Sequence, residues 1–158
     1  MKSGRILATI AFLSGAASLS AQTATQSVSF QVDAINQISV AGSPSLVINT
    51  ASAGSAPTQA SAAATWSVTT NQTTAKITAS INSAMPSGLT LQVNLSAPSG
   101  GTSAGAQTLS ATAVDVVTGI TKLAQSGIAI GYTLDATPGA GVISSTSRTV
   151  TYTITGGT

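Results

Sequence analysis

A chain of 158 residues, 42% hydrophobic and 5% charged, is long enough to bury one core and is not composed like a disordered protein. Apart from Lys2 and Arg5, three cationic side chains balance three Asp, so no basic surface for nucleic acid is expected beyond the N-terminus. The sequence has no Cys, His or Glu, which excludes disulfides, thiol nucleophiles, and ordinary zinc or Ser-His-Asp sites.

Residues 1–21 have the order of a cleavable secretory signal peptide. A basic start, an apolar run and a small-residue stretch follow one another: Lys2 with Arg5, residues 6–13, and residues 14–21. The apolar run is too short for the roughly 20 apolar residues of a membrane-spanning helix. We expect cleavage after Ser20 or Ala21, export to the periplasm, cell surface or extracellular space, and no transmembrane segment in the mature chain.

The mature chain, residues 22–158, is dominated by apolar residues at every second position, the spacing that places side chains on one face of a β-strand. The alternation predicts strands at 28–32, 46–48, 66–68, 77–81, 89–95, 128–134 and 150–154. Residues 35–40 and 107–117 are predicted as further strands, the second with a bulge near Val114. Residues 120–125 are the only segment compatible with a helix.

Gly, Pro and Asn residues typical of turns separate these segments. The Ser/Ala/Gly-rich residues 50–64 are the least regular part, interpreted as a long loop whose end, Ala60–Ala64, enters the next strand. Short strands with one apolar face and frequent turns predict an all-β sandwich or barrel, formed as a single domain over residues 22–158.

No catalytic, metal or cofactor site is predicted. Asp33, Asp115 and Asp135 lack the spacing of a calcium loop. Asp33 and Asp135 stand at the ends of predicted strands and are interpreted as solvated or turn-capping groups rather than a glycosidase pair. A Ser-Lys dyad with Lys76 or Lys122 is conceivable, but Ser is too abundant for such a pairing to carry weight. We expect a protein that is not an enzyme, with a hydrolase as the least favoured alternative.

The aromatic residues leave one alternative open, a carbohydrate-binding module. Trp66, the only Trp, has the planar face on which sugars stack, but its place beside Val68 on an alternating strand predicts a core role. Tyr132 and Tyr152 belong to similar apolar sets and are predicted core residues with hydroxyls at the boundary. An exposed Trp66 or Tyr on a sheet face would favour the binding module.

The first and last predicted strands lack the charges that usually protect sheet edges. Residues 26–31 carry none, and residues 148–155 carry only Arg148 at the start. Such edges favour strand addition between copies or to other envelope proteins. Val28, Phe30 and Val32, on one face of residues 22–33, are the predicted interface; alternatively, this segment is the first strand of its own domain.

Several of these features together resemble a known class of protein. The signal peptide, the segment Ser27–Val32, the Thr/Ser-faced strands and the closing segment Arg148–Thr155 resemble secreted proteins of the fimbrial-subunit and spore-coat-U-like type. This resemblance covers most of the mature chain as a pattern and implies an Ig-like β-sandwich of eight or nine short antiparallel strands. It also implies a structural or adhesive subunit, of a pilus-like filament or extracellular matrix, with residues 26–32 as a donor strand. The disulfide common in such proteins is absent.

Overall fold

The computed structural model describes residues 21–157. The predicted signal peptide, apart from Ala21, lies outside these residues. The chain divides into two units, residues 1–32 and 33–158. In the first unit, residues 21–32 form no strand, so the strand predicted at 28–32 is not formed in this structure.

The second unit contains nine strands and one short 3-10 helix, Pro138–Ala140, among the described residues. The strands are Asn36–Ala41 (β1), Ala60–Thr70 (β2), Ala75–Ile81 (β3), Leu89–Leu95 (β4), Thr102–Ser103 (β5), Gln107–Thr108 (β6), Val114–Ile120 (β7), Leu123–Ala136 (β8) and Val150–Thr155 (β9). They form two antiparallel sheets, β1-β2-β8-β4-β6 and β5-β7-β3-β9. The predicted all-β sandwich is confirmed.

The core lies where the apolar faces of the two sheets meet. Alternate residues of β3 and β4 are buried, and Trp66 of β2 is only 1% exposed. Each large apolar side chain removed from water in this way contributes about 1.5–3 kcal/mol. The core role predicted for Trp66 is therefore confirmed. No helix in the described part of the chain is long and apolar enough to span a membrane.

A bulge in β8 hides the first half of this strand from the alternation pattern. Trp66 is opposite Ile128, but Val68 is opposite Gln125, so β8 has one residue more than β2 between these pairs. Gly127 takes up the extra length with a φ of 68°, a conformation that residues with a Cβ rarely adopt. The buried positions change parity there, which conceals a strand that begins at Leu123. The helix considered at 120–125 was wrong.

The single strand predicted over residues 107–117 was also wrong in its extent. Gln107–Thr108 pairs with β4 in the five-stranded sheet, whereas Val114–Ile120 pairs with β3 in the other sheet. Between them, Ser110 Oγ accepts the Thr112 N–H at 3.1 Å, a local turn that carries the chain from one sheet to the other. The expected irregularity is present, as register shifts within the pairing of β3 and β7.

The segment predicted as a strand at 46–48 is a loop. Leu46 still packs against the core, which accounts for its apolar character without a strand. In the neighbouring stretch, Ala51 and Pro57 form an isolated bridge, and Ala60 begins β2 as expected.

Candidate assembly site

Residues 22–33 carry three exposed apolar side chains, which occupy every second position of the segment. Val28, Phe30 and Val32 are 76%, 93% and 78% exposed, whereas large apolar side chains are normally the first to be buried. The intervening positions are Ser29 and Gln31. This pattern suits a strand that would bury one face and leave the other in water.

Strand β9 is an open edge of the four-stranded sheet, since among the strands of residues 21–157 it pairs with β3 alone. The Asn82 N–H donates to Thr149 O at 3.1 Å, which makes residues 82 and 149 a hydrogen-bonded antiparallel pair in line with the register of the two strands. Because such pairs alternate with non-bonded ones, the backbone groups of Val150, Tyr152 and Ile154 point to the open edge.

Strand β1 is the corresponding open edge of the five-stranded sheet. The Asn71 N–H donates to Ile35 O at 3.2 Å and continues the register of β1 with β2. By the same alternation, the backbone groups of Asn36, Ile38 and Val40 point away from β2. Neither β1 nor β9 contains a charged residue or Pro that would oppose the addition of another strand.

The two open edges approach each other at one end and border a common cleft at the other. Gly156, just after β9, lies against the side-chain amide of Asn36, which would have to shift to admit a Cβ there. At the opposite end, Val40 of β1 and Val150 of β9 both line a cleft. An added strand would therefore enter from the Val40 and Val150 end.

This end cleft has a volume of about 1040 Å³. Its walls combine apolar residues of both sheets with two loops: Leu89, Leu91, Leu134 and Val150, and residues 44–51 and 140–148. It is comparable in size to cavities that hold a small ligand. It is also directly beside the open edge of β9, where the inward side chains of an added strand would be placed.

A pair of tyrosines lines the end cleft and joins the two sheets. The hydroxyls of Tyr132 on β8 and Tyr152 on β9 lie 2.7 Å apart, and either can donate to the other. Burial raises the pKa of both hydroxyls above the ordinary value of 10.0. Both hydroxyls are therefore neutral over the physiological pH range, and both tyrosines lie where the core meets the cleft.

The acidic residues considered for catalysis are not brought together. Asp115 forms an ion pair with Lys76 at 3.0 Å, with both side chains close to half exposed. Asp135 accepts a hydrogen bond from Gln59 Nε2 at 2.7 Å, and Asp33 lies just before β1. Within residues 21–157, no three His, Cys, Asp or Glu side chains form a group that could hold a metal ion.

Two features of this site have no clear signal in the sequence. The end cleft depends on the separation of β1 and β9 and on loops with no periodic pattern. Asn71 lies between two predicted strands, where an Asn indicates no more than a turn, yet its side chain bonds to two backbone groups before β1.

Comparison with protein-family models, curated proteins and solved structures gives no match to this chain.

Proposed function

We propose that the exported chain is a non-enzymatic structural or adhesive surface subunit that assembles by β-strand addition. Residues 22–33 of one copy add to the open edge of β9 in the next copy, where that edge borders the end cleft. The observation that carries this proposal is the exposure of three apolar side chains at alternate positions, Val28, Phe30 and Val32. Such a chain would act at the cell surface, in the periplasm or in an extracellular matrix.

The backbone of β9 offers the bonds that a donor strand needs. Val150, Tyr152 and Ile154 direct N–H and C=O groups to the open edge, so a partner with alternating residues would continue the sheet. Strands in a sheet lie about 4.8 Å apart, so one beside β9 covers the adjoining end cleft. Its inward side chains then leave water.

The side chains of the donor segment supply a favourable free energy of burial. Val28, Phe30 and Val32 would each contribute about 1.5–3 kcal/mol when buried. This gain does not by itself offset the conformational entropy lost when the whole segment becomes ordered, about 1–2 kcal/mol per residue for the backbone. Backbone pairing and apolar burial are therefore both needed, and loss of the central Phe30 should be decisive.

A peptide of residues 22–33 tests the proposal directly. The Phe30→Asp chain has a disabled donor segment but an intact β9 edge, so it should bind the native-sequence peptide saturably. A Phe30→Asp peptide should bind at least about tenfold more weakly, because an unpaired carboxylate is costly to bury. Equal binding of both peptides, or of neither, would contradict strand addition.

The end cleft is also the observation that supports a second candidate, a binding module for an apolar ligand. It does not support the carbohydrate alternative, since Trp66 and Tyr132 are buried and Tyr152 is only partly exposed. An environment-sensitive apolar dye separates the two candidates. A ligand-binding module should bind the dye whether or not the donor peptide is present, whereas an acceptor for the peptide should release the dye as the peptide binds.

A further inference from the structure

The three residues before β1 are held by the side chain of Asn71, which lies directly after β2. The Ile35 N–H donates to Asn71 Oδ1 at 2.8 Å, and Asn71 Nδ2 donates to Asp33 O at 2.7 Å. The Asn71 N–H also donates to Ile35 O at 3.2 Å. We call this set of contacts, Asn71 with Asp33 and Ile35, the Asn71 clamp.

The Asn71 clamp continues strand pairing beyond the end of the sheet. Ile35 and Asn71 follow the register that pairs Asn36 with Thr70, and Asp33 O points to the same side two residues earlier. Backbone groups that face the same side at every second residue are those of an extended chain. Residues 33–35 are therefore held in line with β1.

A chain reversal at these three residues would allow the segment to pair with its own chain. With Ala34 at the centre of the turn, Val32, Phe30 and Val28 would lie opposite Asn36, Ile38 and Val40 in an antiparallel hairpin. Those three β1 residues are the ones with backbone groups on the open edge. The hairpin would bury the same apolar face that strand addition buries, so it competes with assembly.

Two features oppose this reversal. The Asn71 clamp holds residues 33–35 extended, so the reversal would break three hydrogen bonds. The third residue of such a turn normally has a positive φ, which Gly or Asn adopts readily but the β-branched Ile35 does not. Both features keep the segment from its own β1 edge.

We infer that Asn71 is a positioning residue that reserves residues 22–32 for a second copy of the chain by preventing their pairing with their own β1. This inference rests on the proposed function, because it specifies which copy receives the donor segment. It assigns no direct contact with the neighbouring copy to Asn71. Loss of the clamp should therefore redirect the segment and leave the β9 acceptor unchanged.

The clamp can be isolated in a background where the turn is permitted. Ile35→Asn supplies a residue that tolerates a positive φ. With Asn71 intact, this variant should still form oligomers, whereas Ile35→Asn with Asn71→Ala should raise the monomer fraction roughly tenfold, as expected for the loss of two hydrogen bonds. Gln125→Ala is the matched control, since Gln125 Oε1 accepts the Ser99 N–H at 2.8 Å far along the chain from the clamp.

A disulfide reports whether the new monomer has paired with itself. The chain has no Cys, so Ser29→Cys with Ser39→Cys introduces a single pair, which lies directly opposite in the predicted hairpin. When this Cys pair is added to the Ile35→Asn, Asn71→Ala variant, a disulfide should form within one chain. The midpoint of thermal unfolding, followed by the β-structure signal, should not change. A monomer without that disulfide would overturn the inference, as would an unchanged monomer fraction.

Insertion of five Gly/Ser residues between Val32 and Asp33 provides a second test that leaves the fold intact. The longer connector lets the segment return along β1 while the clamp is kept, so self-paired monomers should again increase. The same five residues inserted between Gln22 and Thr23 are the control and should have no effect. If the native chain forms no oligomer at all, the proposed function fails; if it forms oligomers that none of these changes affect, only the role of Asn71 fails.

Discussion

The hydroxyls of Tyr132 and Tyr152 lie 2.7 Å apart and join β8 of one sheet to β9 of the other. Because β9 is the proposed acceptor edge, this bond helps to fix the strand on which assembly depends. Tyr152→Phe leaves the Tyr132 hydroxyl without this partner and should lower the free energy of unfolding by about 1 kcal/mol. The double variant, Tyr132→Phe with Tyr152→Phe, should lose less than twice that free energy, since it leaves no hydroxyl without a partner. Urea unfolding of the native chain, the two single variants and the double variant gives the coupling energy between the two hydroxyls.

The same pair predicts a loss of stability in alkaline solution. Burial raises the pKa of both hydroxyls in the folded state, whereas the unfolded chain titrates near pH 10. Above that pH the unfolded state releases protons that the folded state retains, so the free energy of unfolding decreases as pH rises. Below that pH both hydroxyls are protonated in the folded and the unfolded state, so they contribute no pH dependence to the free energy of unfolding. The double Phe variant should show a shallower decrease between pH 9 and pH 11; an identical slope would show that the pair does not contribute.

Among the described glycines with a positive φ, Gly88 is expected to be the most sensitive to substitution. It has a φ of 78°, and a Cβ there would lie 2.7 Å from Ala140 N. Gly88→Ala should destabilise by about 2–4 kcal/mol, because the strained φ and the clash with backbone add. Gly100→Ala is the control, with a φ of 75° and no atom within 4 Å of the new Cβ. It should cost only about 1 kcal/mol in thermal or urea unfolding.

Trp66 offers a direct test of the carbohydrate alternative. Its side chain is buried and its Nε1 has no hydrogen-bond partner in the described structure. Its fluorescence should therefore be blue-shifted, resistant to quenching by iodide, and unchanged by added polysaccharides. Quenching by iodide in the folded chain, or a shift of the emission with a polysaccharide, would mean that the indole is accessible.

The sequence predicted strands best where alternation runs unbroken into the core. Residues 77–81, 89–95 and 150–154 fall within β3, β4 and β9, because every second side chain there packs between the sheets. Prediction failed where a bulge shifts the inward-facing positions of a strand by one residue, as at Gly127. It also failed at Ser110, because alternation indicates a buried face but not the sheet to which it belongs.

The candidate site was predictable only in part. The apolar set of residues 28–32 can be read from the sequence because its residues are adjacent in the chain. The open edges of β1 and β9, the end cleft and the Asn71 clamp depend on residues far apart in sequence. Asn71 and Asp33, for example, are separated by 38 positions, and no local pattern indicates that they meet.

The central claim is that residues 22–33 of one copy add to another copy, and sedimentation of the mature chain over a range of concentrations tests it most directly. The native chain should form oligomers, and so should Ser27→Asp, which places the same charge on the opposite face. Phe30→Asp should remain monomeric with unchanged thermal stability, because Phe30 lies outside both sheets. A native chain that stays monomeric at high concentration and with cell-envelope extract, or a Phe30→Asp variant that assembles equally well, would contradict the account.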